Sequence, residues 1–474
     1  MIKQKSFATG MAGILLLIFV TGGCGKYGEQ SSEKQVLSFK FETTVPAVTA
    51  IIDQNLHTIT ATVPSGTNLS SLVPTITLSS GASVSPESGV AQNFTLPVTY
   101  TVTAEDASQA TYVASITIDG SGDPETLSGT MSANRTLVNR NNSIDYIISE
   151  SFYVDGNALL TVEPGVTIAF TGVGNFINVG ENAGLKMVGT ASDPIILTGP
   201  VNNPNKGSWS GVFYYSDRAD NIMEYVEIRN AGSDAEDGAI YISSEAALAV
   251  RHTLLYGSTG FGFEVNGELR EFSNNTVRDC EKAPVIAYNI KRIEAMDGTS
   301  TFTNNNLNYV WISWATADEE INIHKLTIPY FLEGGLYAEK NITLQAGVQL
   351  IFNSTTSFSV YETSKLVAEG TASDPILITC IEKEAGAWSG IYMRSSLSNV
   401  MTYCTVEYGG YGNDGNNVDC NGKLAISNCT IRNSSNYGFI VYDSSEITAS
   451  NVVFSNCAGG NVYNWDTGDV SDNL

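Results

Sequence analysis

From about Val36 to Ile118 apolar and polar residues alternate in short runs: Leu37, Phe39 and Phe41; Ile59, Ala61 and Val63; Val98, Tyr100 and Val102; Tyr112, Ala114 and Ile116. A period of two is the pattern of strands with one buried face. Ser65-Gly66-Thr67, Ser80-Gly81 and Glu87-Ser88-Gly89 separate the runs at the intervals of an all-β sandwich. The stretch holds no Cys or Trp, so strand pairing and packing alone must hold it together. Gly120-Ser121-Gly122-Asp123-Pro124 then breaks the pattern and reads as a linker.

Beyond about Leu127 short β-rich runs recur every 22 to 28 residues, an interval visible directly in Cys380, Cys404, Cys429 and Cys457. A coil of that length, with several strands and tight polar turns in place of a helix, predicts a right-handed parallel β-helix. About 345 residues at about 25 per coil give about 14 coils. The segments Ser273 to Cys280, Ser427 to Ser434 and Ser450 to Cys457 carry asparagines that fit its turns, where amides can bond from coil to coil. The region is also duplicated. GTASDP at Gly189 returns at Gly370, WSG at Trp209 returns at Trp388, and Leu248 to Phe263 realigns with Leu424 to Phe439. A nearly constant offset means that both halves thread the same units in the same order. Trp209 and Trp388, present in both halves beside glycine, read as packing residues at a coil corner.

The N-terminus opens with Lys3 and Lys5, an apolar run from Met11 to Val20, and Thr21-Gly22-Gly23-Cys24. The run is too short for a permanent span and reads as a signal peptide. The small residues ending at Cys24 resemble the lipobox of bacterial lipoproteins, which implies cleavage before Cys24 and a diacylglycerol on its thiol. The expected organisation is signal peptide 1–23, tether 24–35, sandwich 36–119, linker 120–126 and solenoid 127–474, the last as halves 136–320 and 321–474. Its address would be the outer membrane, at the cell surface or on the periplasmic face, with the membrane touched only through the lipid. A net charge of −25 and the lack of a basic cluster exclude nucleic acid as partner. The expected state is a monomer.

The stretch VPSGTNLSSLVPTITLSSGASVSP with TVTAEDASQATY resembles the immunoglobulin-like modules near the lipidated end of Bacteroidota surface lipoproteins, which implies a spacer role. The solenoid resembles the bacterial pectate-lyase-like β-helix superfamily, in particular members with GTxxxPI and WxGI motifs followed by N-x-T/V-x-x-N/C coils. The fold class expected is thus all-β, an immunoglobulin-like sandwich followed by a right-handed parallel β-helix. The resemblance leaves the activity open, since that superfamily holds lyases, hydrolases, esterases, epimerases, adhesins and tailspikes.

Three histidines, His57, His252 and His324, leave little for a His-based metal site. Arg251-His252 replaces the turn pair Ser427-Asn428 of the other half; as a catalytic pair it would serve a lyase as base and charge neutraliser, and as outward residues it would simply vary the turn. Acidic loops follow at matching places in both halves. Asp234, Glu236 and Asp237, or Asp414 and Asp419, could offer oxygens to Ca²⁺, although solvated turns select the same residues; no cofactor is required. Tyr309, Trp311 and Trp314 have no counterpart in the other half and are the candidates for stacking on sugar rings, with Tyr309 and Trp311 on one strand face, Trp314 on the other, and one set expected in the core. The cysteines after Cys24 are expected as buried free thiols. The function expected is a lipid-anchored envelope protein that binds a polysaccharide or host polymer without catalysis; the alternative is a polysaccharide lyase or related carbohydrate-active enzyme.

Overall fold

A computed structural model of the chain describes residues 30–64, 67–118, 124–200, 205–412 and 415–474. Cys24, most of the linker and Asp414 lie outside the described residues. The chain divides into two compact units, Met1–Thr117 and Ile118–Leu474.

The first unit is a β-sandwich. Val48–Thr49, Val36–Phe41 and Thr75–Leu78 form a three-stranded sheet, and Ile51–Asp53, Thr58–Val63, Gln109–Ile118, Val98–Thr103 and Ser83–Ser85 a five-stranded one. The alternation read from the sequence matches burial at Phe39, Phe41, Tyr100, Val102, Tyr112 and Ala114, which point inward, but not at Leu37, which is exposed because an irregularity between Val36 and Ser38 shifts the register and buries Val36 instead. Phe39 meets the edges of Phe41, Phe94 and Tyr100 at 5.3 to 6.4 Å, the arrangement that aromatic quadrupoles favour.

The second unit is a β-solenoid of about 13 turns, with one continuous apolar interior from Leu127 to Val462. Successive coils pair in parallel, as Ile195–Thr198 does with Val226–Arg229. Corners are turned by single residues in the left-handed region, mostly asparagine: Asn274, Asn304, Asn428, Asn433, Asn451 and Asn456 have φ between 51° and 58°. Asparagine tolerates that conformation better than other residues with a Cβ. Its amide then joins the coils, Asn451 Nδ2 donating to Asn428 Oδ1 and Asn456 Nδ2 to Asn433 Oδ1, each at 3.1 Å. Inside, Asn275 takes the Thr253 amide and donates to the Val250 carbonyl, so the buried side chain leaves no polar atom stranded.

The duplication is structural. Trp209 and Trp388 are fully buried, stack on Phe170 at 3.7 Å and Phe352 at 4.6 Å, and donate Nε1–H to the carbonyls of Arg229 and Glu407, both at 2.9 Å. Buried Asn221 and Asn399 accept the amides of Leu185 and Leu366 in the same manner. The two copies are nevertheless turned against each other by one face. The sheet containing Gly211–Tyr214, Gly238–Ile242 and Phe261–Val265 runs on through Val285–Ala287, Val310–Ile312 and Tyr330–Leu332 into Gln349–Phe352. In sequence, Gln349–Phe352 repeats Thr167–Phe170, not Phe176–Val179. The repeats of the Gly211–Tyr214 face lie instead on a separate sheet, with Ser357–Val360, Gly390–Met393, Val418–Cys420 and Tyr437–Val441.

At the C-terminal end Val470–Ser471 folds back antiparallel on Gly460–Asn464. Cys280, Cys380, Cys404, Cys420 and Cys429 are buried free thiols and Cys457 is half-buried and free. Cys404 and Cys429 stack, with the Cys404 amide donating to Cys429 Sγ at 3.3 Å. Among the described residues no helix is long and apolar enough to cross a membrane.

Candidate functional site

On the long sheet, strand register places one outward residue from each coil on a single line: Tyr153, Asn178, Phe213, Tyr241, Glu264, Ile286, Trp311 and Phe331. Eight strands at about 4.8 Å span about 34 Å. Aromatic side chains dominate this line and the positions beside it. Tyr153 meets Phe176 at 5.6 Å, Phe176 meets Phe213 at 5.2 Å, and Tyr241 lies between Phe213 at 6.4 Å and Tyr215 at 5.8 Å. Small residues keep the floor low. Gly211, Ala239 and Gly262 precede Phe213, Tyr241 and Glu264 by two positions on the same face, and a Cβ at Gly211, where φ is +144°, would run into the Ala239 carbonyl.

The result is a cleft of about 300 Å³ lined by Phe213, Tyr215, Asp237, Tyr241 and Glu264. Glu264 is buried; its Oε2 accepts the Gly238 amide at 2.9 Å and its Oε1 the Tyr288 hydroxyl at 3.1 Å. Burial raises the Glu264 carboxyl above the usual range despite these donors, and Asp237 adds to the rise. Asp237 is itself raised by burial and then by Asp234 and Glu236. The Tyr288 phenol is pushed up to about 12 by burial and Glu264. Several perturbed groups in one cleft are a functional signature. Chemically the site offers aromatic faces for stacking, hydroxyl and carboxyl groups for hydrogen bonds, and a carboxyl that holds its proton to higher pH than an ordinary glutamate.

Of the residues singled out in the sequence, Trp311 stands on this line three strands beyond Tyr241, about 14 Å away at the strand spacing, and Asp237 lines the cleft. Trp311 and Tyr309 pack in a small outer cluster with Phe261, Ala283 and Ile286; Trp311 Nε1 donates to Glu333 Oε2 at 3.0 Å. Trp314 is 64% exposed. Neither set enters the interior, contrary to expectation, because their neighbours Val310, Ile312 and Ala315 take the inward positions.

Arg251 and His252 are not gathered into the cleft. Arg251 bridges Glu224 at 2.9 Å and Glu271 at 2.7 Å, across the coils on either side, and these hydrogen bonds raise its already high pKa. His252 occupies the left-handed corner with φ 47° and stacks on Tyr225, ring centres 4.6 Å apart. Both residues thus do at this corner what asparagine ladders do elsewhere. Asp234 Oδ1 accepts the Glu236 amide at 2.9 Å, Glu236 pairs with Lys282 at 2.6 Å, and Asp419 pairs with Arg394 at 2.6 Å. Among the described residues no three His, Cys, Asp or Glu side chains converge as ligands of a metal ion.

Phe213, Tyr215, Tyr241, Glu264 and Tyr288 were missed by reasoning from sequence. Their one signal was the column they form when coils are aligned on the inward residues Val212, Ile240 and Phe263.

Comparison with known proteins agrees with the fold. Residues 36–116 match the family described as SGBP, N-terminal; residues 129–241 match the pectate-lyase like beta helix domain, and residues 308–474 the right handed beta helix region. No curated protein matches the chain. Among solved structures, a chain from Bacteroides thetaiotaomicron described as a candidate glycoside hydrolase is 35% identical over 19% of this chain, with a TM-score of 0.17. The match spans 27% of that chain.

Proposed function

We propose that this protein, a pectate-lyase-like right-handed β-helix behind an SGBP N-terminal module, binds a polysaccharide along the outward aromatic line of its long sheet, held at the outer membrane by a lipid on Cys24. The observation that carries this reading is the cleft of Phe213, Tyr215, Tyr241, Asp237 and Glu264. Aromatic faces at strand spacing suit successive sugar rings, and carboxyl and phenol groups suit their hydroxyls. The N-terminal module points the same way, being of the kind that surface glycan-binding proteins carry. With a net charge of −25 and no cationic side chain lining the cleft, the ligand is neutral; a polyuronate would be repelled.

Affinity electrophoresis of the soluble chain through gels of neutral and acidic polysaccharides tests this. Retardation in a neutral gel that Tyr241→Ala weakens is the expected result; equal mobility in every gel would sink the reading.

A second reading has one specific observation behind it, the raised carboxyls of Glu264 and Asp237 in one cleft. Glycosidic bonds are hydrolysed by pairs of carboxyl groups, one of them a general acid whose pKa is raised. Release of reducing ends that stops in Glu264→Gln would favour it. The lyase reading lacks its neutraliser, since Arg251 is committed to Glu224 and Glu271.

A further inference from the structure

The internal repeat gives each strand position of the cleft a counterpart. Register equates Phe213 with Tyr392, Tyr241 with Asp419, Glu264 with Ile440 and Ile286 with Tyr463. Two positions further along each strand, Tyr215 corresponds to Arg394, Asn266 to Tyr442 and Tyr288 to Trp465. These counterparts form one connected patch. Arg394 lies over the rings of Tyr392 at 5.5 Å and Tyr442 at 5.9 Å and pairs with Asp419 at 2.6 Å. The Tyr442 hydroxyl reaches Asp419 Oδ2 at 3.4 Å. Tyr442 is 6.2 Å from Trp465, and Trp465 meets Tyr463 edge-on at 6.4 Å. Trp465 is 52% exposed.

We infer that this patch is a second glycan-contact site, for a neutral sugar chain, and that it engages a chain other than the one in the first cleft. The inference rests on the reading of the first cleft as a glycan site. Three observations support it. The exposed indole has no structural duty in the interior. Tyr442 links it to Arg394, whose guanidinium, held by buried Asp419, offers donors to sugar hydroxyls. Their charges cancel, so neither an acidic nor a basic sugar is favoured. The one-face turn between the halves puts the two patches on different sheets, so a single extended strand cannot lie on both. The protein is thereby a bridge between polysaccharide strands.

The test uses the soluble full chain, with Tyr241→Ala, Trp465→Ala and the double variant run through gels of amylopectin, galactomannan, xyloglucan and laminarin. In the gel that retards the wild type, each single variant should lose about three- to tenfold in affinity, the value of one aromatic contact, and the double variant should lose retardation. Trp465→Phe should restore most of the binding. Dynamic light scattering of the same polysaccharide in solution should show aggregates with the wild type and none with either single variant. Wild-type mobility and wild-type aggregation in Trp465→Ala would overturn the second site while leaving the first intact. No retardation of the wild type in any gel would instead remove the glycan reading and this inference together.

Discussion

The Tyr288 hydroxyl donates to Glu264 Oε1 at 3.1 Å, from the residue that follows Val285–Ala287, the strand next to the one that carries Glu264. The bond crosses between two coils, so a functional group and a coil-to-coil tie are the same pair of atoms. Its acceptor is raised, first by burial. A carboxyl whose folded pKa exceeds its unfolded value holds its proton more tightly in the folded state. Its stabilising contribution is complete below the ordinary glutamate value of about 4.3 and is lost as pH rises through the folded value. Glu264→Gln removes the titration while keeping an acceptor for Gly238. The variant should match wild type in thermal stability near pH 4 and exceed it near pH 7. A difference that does not change with pH would contradict the linkage.

The paired tryptophans predict symmetrical losses. Trp209→Ala and Trp388→Ala should each cost about 3–5 kcal/mol in denaturant unfolding, because each empties a fully buried site. Trp388→Phe retains the ring but strands the Glu407 carbonyl, for about 1 kcal/mol from the lost hydrogen bond. Equal stability of Trp388→Phe and wild type would show that water reaches that carbonyl.

Arg251 separates a structural role from a chemical one. Arg251→Ala leaves Glu224 and Glu271 facing across the coils without their cation, and should cost about 1 kcal/mol, less in high salt, since the pairs are partly exposed. Polysaccharide retention should not change. Loss of a chemical activity in Arg251→Ala at unchanged stability would reverse that assignment.

Chelation predicts little. Glu236 and Asp419 already face Lys282 and Arg394, so EDTA should leave retardation and melting temperature as they were. A fall in either, restored by Ca²⁺, would place a metal ligand set in the acidic loops after all.

The anchor is tested by fractionation. Cys24→Ala should move the protein from the membrane to the soluble fraction; unchanged retention would rule out lipid on that residue.

Sequence made the sandwich, the solenoid and its corners legible because each repeats: Phe39 and Phe41 alternate, GTASDP and WSG recur, and asparagines fall at coil corners. The cleft was not legible for a geometric reason. Phe213, Tyr241 and Glu264 are 28 and 23 residues apart, and only the register of unequal coils brings them into line. Comparison of the halves drew attention to Arg251-His252 as the departure from pattern, yet a departure at a corner can be solved by stacking, as His252 does on Tyr225. The more telling departures were Tyr241 against Asp419 and Tyr288 against Trp465, which alternation along one strand does not reveal.

A parallel solenoid carries a hazard in its own regularity, since its last coil presents the same rail of amides and carbonyls that every earlier coil used to receive its neighbour. Stacked head to tail, such rods would grow into filaments without limit. Val470–Ser471 reverses the direction of the chain on that rail. On that one sheet an arriving parallel strand meets hydrogen-bond spacing of the wrong polarity. Two residues thus turn one of the solenoid's sheets from an open template into a closed edge.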